Sequence, residues 1–340
     1  MKTKVSLLAV IISAFLISSC GGEKKDSGET IAVNYKLEII DSLQFDILSP
    51  DLRVADVDTE TGDMLVFQYG NPPVAWVFDK SYQVLAKFEL PEDHPEAVGN
   101  FILSATFFDQ GIALMGRFVV NLYDRKFNFI KSMKVSYGPS KLIMPGQKHI
   151  FDFYDENGQP QLVTYFGQPQ TDLYAMNKEY YDEFNIVDVV NPALSKSSRD
   201  TVFQAIGELT PDSRYKKGRA FYFLQPRMWV ADRQLYYAIN DDTTLFVRNL
   251  PEGDIERSYT IPFDKFILLE GYSMGPDGVA EQRKPRDRSG RIESVLHTGN
   301  FEIVVYHSGL KLFEIAEFDR DSPDFQKQLN QADSKKYLIL

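Results

Sequence analysis

The sequence predicts an all-β fold: a β-propeller of six blades, each a four-stranded antiparallel sheet. Two observations predict it. Short segments of alternating apolar and polar residues recur along the chain, with the two-residue period of half-buried strands rather than the 3.6-residue period of helices. A phrase of strand, acidic turn and strand also returns at intervals of roughly 40 to 50 residues, which is the length of a propeller blade. Each blade is a small sheet that cannot bury both faces alone, so neighbours stack and close a ring.

The elements follow in order. Residues 35–39 alternate as a strand, and 52–58 and 64–69 form a hairpin around the turn at 59–63. Strands at 74–79 and 84–90 follow, joined at Lys80-Ser81-Tyr82. Residues 111–115 and 118–124 are strand-like, and 120–127 repeat the form of 75–82, which makes Asp79 and Asp124 equivalent turn residues. A third version is 150–154 with the turn Asp155-Glu156-Asn157-Gly158, and a fourth runs 228–231, 235–239, Asn240-Asp241-Asp242 and 245–250. A fifth is 301–306, then 310–318 ending at Asp319-Arg320-Asp321. Alternation weakens over 174–212, which reads as a helical or loop insert with a helix at 198–209. Residues 337–340 look like the middle of a strand, either closing the ring beside the amino-terminal strands or belonging to a longer fold.

The beginning of the chain is a different kind of sequence. Lys2 and Lys4 precede an apolar run at 5–17, too short to span a bilayer comfortably, and small residues close it. These are the parts of a secretory signal, residues 1–19. Residues 20–30 are small and charged, without apolar period, and read as a flexible tether ahead of a propeller domain at 31–340.

Cys20 is the chain's one cysteine, so no disulfide can form within it and stability must come from packing. The 25 Phe, 18 Tyr and 2 Trp supply it. Leu16-Ile17-Ser18-Ser19-Cys20 resembles the lipobox of bacterial lipoproteins. That resemblance implies cleavage before Cys20 and its acylation, palmitate included. One acyl chain anchors only marginally, at about 0.8 kcal/mol per buried methylene, whereas several chains on one cysteine hold stably. The alternative is a plain secreted protein with a chance cysteine after its signal. The lipobox, the Tyr- and Phe-rich blades and the strand-Asp-Lys/Arg turns together resemble the uncharacterised six-bladed, TolB-like β-propeller lipoproteins of Bacteroidota, known only as domains of unknown function. The resemblance implies a lipid-anchored envelope protein, at the outer membrane, and transfers no catalytic residue.

The formal charge of −11 argues against nucleic acid as a partner, because phosphate binding needs a basic footprint. Removing the signal takes away Lys2 and Lys4 and no acid, which makes the chain more acidic still.

Each candidate for chemistry meets a plainer reading. Gly271-Tyr272-Ser273-Met274-Gly275 matches a nucleophile elbow, with His297 or His307 and Asp277 or Asp287 as conceivable partners, yet Pro276-Asp277-Gly278 reads as a turn where the elbow needs a helix. The alternating carboxylates from Asp56 to Asp63 suggest a calcium loop, but Thr61 and Phe67 stand where an EF-hand needs Gly and Glu. The acidic loop 319–324 is as weak. His94, His149, His297 and His307 lack ligand spacing, so no metal site is assigned. The basic loop from Arg283 to Arg291 could hold an anionic glycan or lipid headgroups, and is more simply a solvated loop. Trp76, Trp229, Tyr236 and Tyr237 could stack on sugars, although aromatics in strands usually pack in the core.

These readings favour a lipid-anchored, non-enzymatic binding or scaffold protein. It would recognise a glycan, peptide or partner protein through the funnel or loops, with no catalytic, cofactor or metal residue assigned. The alternative is an envelope hydrolase or lyase acting on glycan or peptide with funnel carboxylates. Two such carboxylates within about 10 Å, one of them in an apolar setting, would favour the enzyme. A funnel lined by aromatic and neutral groups would favour binding.

Overall fold

A computed structural model describes residues 51–135, 147–167, 175–196, 202–221 and 224–340, with Glu38, Ser42, Gln44, Phe45, Ile47 and Ser49 ahead of them. Cys20, the signal and most of the strand expected at 35–39 lie outside the described residues. The chain divides into two units, Met1–Gln44 and Phe45–Leu340, and all the architecture below belongs to the second.

The described residues build five antiparallel sheets, each an up-and-down meander. The first is β1 (Leu52–Val57), β2 (Met64–Gln68), β3 (Val74–Phe78) and β4 (Val84–Glu89). The second is β5 (Ser104–Phe108), β6 (Gly111–Met115), β7 (Val119–Asp124) and β8 (Phe129–Lys134). The third is β9 (Ile150–Tyr154), β10 (Pro160–Thr164), β11 (Asn185–Val190) and β12 (Phe203–Glu208). The fourth is β13 (Pro226–Ala231), β14 (Gln234–Ile239), β15 (Thr244–Asn249) and β16 (Ile255–Thr260). The fifth has three strands, β17 (Arg291–Thr298), β18 (Phe301–His307) and β19 (Lys336–Ile339). First strands touch in sequence: β1 with β5, β5 with β9, β9 with β13, and β13 with β17. This is propeller stacking, and the first strands form the inner wall.

The core lies between faces of successive sheets, as the propeller argument requires. Leu65 and Val77 of the first sheet pack with Ile112 and Tyr123 of the second, and Met115 and Leu122 pack with Ile150 and Leu162 of the third. Phe151 and Val163 pack with Leu235 and Tyr237 of the fourth, and Ala238 and Val247 with Ile292 and Val304 of the fifth. The other face of the first sheet, with Trp76 and Phe78, is covered by Phe45, Ile47 and Leu52.

The acidic turns that carried the repeat have one geometry. Asp79 Oδ1 accepts from Ser81 N at 2.8 Å and Gln83 N at 2.9 Å. Asp124 Oδ1 takes Lys126 N and Asn128 N, and Asp155 Oδ1 takes Asn157 N and Gln159 N, at the same two distances. The residue between the two donors is left-handed in all three: Tyr82 at φ 62°, Phe127 at 63° and Gly158 at 72°. A short carboxylate that accepts two backbone N–H groups fixes such a turn whatever the intervening side chains are. The turns do not occupy one place in the blade. Asp79 and Asp124 join third to fourth strands, whereas Asp155 joins first to second.

Three expectations are corrected. Five sheets replace six, because the third sheet spreads from Ile150 to Glu208 and takes its outer strands from the stretch read as irregular. The helix expected at 198–209 is strand β12, where Gly207 at φ 86° excludes helical backbone and β11 offers a pairing edge. The strand expected at 310–318 is a single bridge, Leu310 to Arg288, followed by a short helix, α3 (Leu312–Ile315). The carboxy-terminal stretch read as a strand is β19, which pairs antiparallel with β18. The remaining helices are α1 (Lys178–Asp182), α2 (Pro276–Gln282) and α4 (Phe325–Ala332). Among the described residues no helix is long and apolar enough to cross a membrane.

Candidate functional site

The first strands place charged side chains on the inner wall. Asp56 on β1 accepts from Thr106 Oγ1 at 2.6 Å and from Phe107 N at 3.0 Å, both on β5, and pairs with Lys148 Nζ at 2.9 Å just before β9. Asp152 on β9 is mostly buried, and burial first, then the neighbouring Asp56 charge, push its pKa up; Lys148 pulls it down. Arg227 on β13 is buried and donates from Nε to Ile292 O at 2.9 Å, and burial lowers its pKa to about 10.

Two inner cavities share Lys148. One, of about 370 Å³, is lined by Arg53, Ala55, Phe67, Ser104 and Lys148. The other, of about 350 Å³, lies among β9, β13 and β17 and is lined by Lys148, Phe151, Arg227, Trp229 and Glu293. Gln147 and Lys148, not Asp56 or Asp152, are the wall residues of both.

A larger cavity, of about 640 Å³, opens where the fourth and fifth sheets begin their first strands. Its walls bring together Phe221, Asn240, Asp241, Tyr272, Arg286 and Arg288, from four separate stretches of chain. Ala220 and Tyr272 exchange two backbone hydrogen bonds, at 2.8 and 2.9 Å, which hold the 271–273 segment against the segment preceding β13. Arg219 reinforces this, donating to Gly271 O at 2.9 Å and to Ser273 Oγ at 3.2 Å. Asn240 turns its side-chain oxygen to Gln225 N at 3.1 Å, leaving Nδ2 as a donor on the wall. Asp241 is deeply placed and accepts from Tyr215 Oη at 2.8 Å; burial raises its pKa.

The arginines of this mouth differ in their partners. Arg288 Nε stands 3.1 Å from Asp333 Oδ2, and Arg291 pairs with Glu293 at 2.7 Å and with the same Asp333 oxygen at 3.7 Å. Asp333, at the end of α4, is fully buried and also accepts from Gly309 N at 2.9 Å. Arg286 lies over the Tyr272 ring, 4.0 Å from its centroid, and among the described residues has no carboxylate at ion-pair distance. Its neighbour Asp287 is taken by Lys311 Nζ at 3.0 Å and Leu312 N at 2.8 Å.

The residues weighed from sequence fall as follows. A helix does follow Ser273, since α2 starts at Pro276, contrary to the turn expected there; Pro suits the first helical position, where its missing N–H costs nothing. No strand precedes it, however, and Ser273 is engaged by Arg219 and Glu281. His297 stacks on Tyr236 with centroids 4.4 Å apart, and His307 Nδ1 donates to Asp333 O. Asp58 caps its own turn, accepting from Glu60 N and Thr61 N, and pairs with Arg125 at 2.6 Å. Asp319 accepts from Asp321 N, and His94 Nδ1 accepts from Glu96 N. His149 is buried beside Tyr165. Among the described residues no group of three His, Cys, Asp or Glu side chains is placed to hold a metal ion. Trp76 and Tyr237 are core residues, while Trp229 lines an inner cavity edge-on to Phe151.

Sequence reasoning missed Lys148, Asp152, Arg227 and the mouth residues Phe221 and Asn240. Asp152 and Arg227 did leave a signal, a lone charge inside an otherwise apolar strand. Lys148 and the mouth residues left none, because they are recruited from loops and strand ends far apart in sequence.

No family model and no curated protein matches the chain. Among solved structures it is similar to a member of the DUF4221 family from Bacteroides vulgatus, at 12% identity over 86% of this chain and 78% of that one, with a TM-score of 0.52. A protein from Bacteroides fragilis aligns at 13% identity over 89% and 74%, with a TM-score of 0.44. A protein of unknown function from Bacteroides caccae aligns at 10% over 82% and 76%, with a TM-score of 0.40. At 12% identity the likeness to the DUF4221 member is one of fold alone.

Proposed function

We propose that this chain is a cell-envelope lipoprotein, anchored through acyl chains on Cys20, whose propeller binds a glycan, peptide or partner protein and performs no reaction on it. The observation that carries the binding reading is the 640 Å³ mouth cavity. Its size is that of ordinary small-ligand sites, and its walls combine apolar surface with a few fixed polar groups, which is how binding sites achieve orientation. Asp241, the carboxylate on its wall, is already held by Tyr215, and Ser289 Oγ donates to Gly290 O, so neither stands ready as a base or nucleophile. The test is a glycan and peptide binding screen on the whole chain, with Tyr272→Ala expected to abolish whatever binding is found. Intact mass of the protein from its native host checks the anchor: an unmodified Cys20 sinks it.

A second reading, an envelope hydrolase, has one observation in its favour. Asp152 is held toward its protonated form beside Asp56, a division of roles that suits a general acid and its partner carboxylate. Neither carboxylate is among the lining residues of the cavities beside them, where Gln147 and Lys148 stand instead, which weighs against the pair as groups that reach a substrate. Glycan turnover that disappears in Asp152→Asn would reverse this preference.

A further inference from the structure

We infer that the mouth cavity takes a small ligand through a carboxylate, and that Arg286 is the group that receives it. This rests on the binding reading above and narrows it to a ligand class. Arg288 and Arg291 are compensated by Asp333 and Glu293, and Asp287 is compensated by Lys311. Arg286 alone among the lining guanidinium groups has no carboxylate at ion-pair distance in the described residues, Asp287 acting on it only from farther off, and its seat 4.0 Å over the Tyr272 ring restrains its fork. A planar fork matches a carboxylate with two parallel hydrogen bonds. Stacking also withholds much of the rotamer freedom that an arginine would otherwise lose on binding.

The rest of the cavity sets the remainder of the ligand. Phe221, Leu269 and Tyr272 present apolar surface, and Asn240 Nδ2 offers a neutral donor. Asp241, the acid on the same wall, is held by Tyr215 Oη, and one guanidinium without an acid at ion-pair distance suits a monoanion. A phosphate monoester, close to doubly charged, would need a second free cation, and the adjacent arginines are already engaged. The fitting class is therefore a monocarboxylate with a compact, partly apolar body. Acidic sugars and aromatic acids share that chemistry.

Calorimetric titration of the whole chain in detergent with glucuronate, glucose, glucose 6-phosphate and benzoate separates the cases, because the three sugars differ chiefly in the anion. Binding is expected for glucuronate or benzoate, with glucose and glucose 6-phosphate at least tenfold weaker. Which of the two carboxylates binds identifies the source as sugar or aromatic acid. Arg286→Gln should weaken that binding tenfold or more and Arg286→Lys should restore part of it, at unchanged thermal midpoint. Arg283→Gln, an exposed charge beside the same loop, should leave it unchanged. Equal binding of glucose, tighter binding of the phosphate ester, or indifference to Arg286→Gln overturns the carboxylate assignment while leaving a binding protein. Silence from all four probes overturns it as well, and if the glycan and peptide screen is also blank, the binding reading falls with it.

Discussion

Lys148 Nζ lies 2.9 Å from Asp56 Oδ1, so one ion pair joins the entry to the third sheet to the first strand of the first sheet. Both side chains are about one-fifth exposed, enough burial for the pair to matter. Lys148→Met leaves Asp56 with its bonds to Thr106 and Phe107 but without a counter-charge. The expected loss is roughly 1–3 kcal/mol, the cost of an unpaired, partly buried charge. Urea unfolding of wild type and variant measures it, and an unchanged midpoint would show the pair to be decorative.

Asp152→Asn should stabilise the protein near neutral pH. Burial and the Asp56 charge hold the Asp152 pKa above its ordinary value, so the folded state keeps a proton that the unfolded chain releases. Stability from this group is therefore lost as pH rises from the unfolded pKa through the folded one. The amide removes that loss. Thermal midpoints should rise by a few degrees at pH 7 and converge with wild type below pH 4.

Two of the aspartate turns titrate in the opposite sense. Asp124 and Asp155 have their carboxyls held below the ordinary range, Asp124 chiefly by the Asn128 side chain and Asp155 chiefly by the Gln159 backbone N–H. Their contribution is present above the unfolded pKa and fades as pH falls through the folded one. Replacing Asp79, Asp124 and Asp155 by Ala should lower the urea midpoint by small, additive steps, since each turn belongs to a different sheet. The double variant of Asp124 and Asp155 should also show a shallower acid limb below pH 4. A wild-type slope there would mean that these turns do not govern it.

His307 gives a second pH dependence. Burial, its largest cause, and the nearby Arg291 lower its pKa, against the pull of Asp333 and Glu293. The folded state thus keeps the ring neutral while the unfolded chain binds a proton near pH 6.5. Stability should fall as pH drops below about 6.5, until the folded pKa is passed. His307→Gln should flatten the urea midpoint between pH 7 and 5 relative to wild type.

The alternation of 52–58, the short apolar run at 74–78, and the acidic turns at Asp79, Asp124 and Asp155 determined from sequence alone that the chain is all-β and built from repeated meanders. Those signals are local: a strand shows its period over five residues, and an Asx-type turn is completed within five more. Sheet count was not local. Gly207 and the irregular stretch around it became strands only because β11 offered an edge, and a partner's edge is invisible in a strand's own residues. The likeness of residues 16–20 to a lipobox likewise belongs to sequence, as a segment compared by its order of residue types. The mouth could be decided only by tertiary structure, which sets Tyr272 under Arg286 and gives the two other arginines that line it, Arg288 and Arg291, an acid at ion-pair distance but not that one. Charge compensation depends on distance through space, and residues 272, 286, 293 and 333 lie too far apart in the chain for any sequence period to record it.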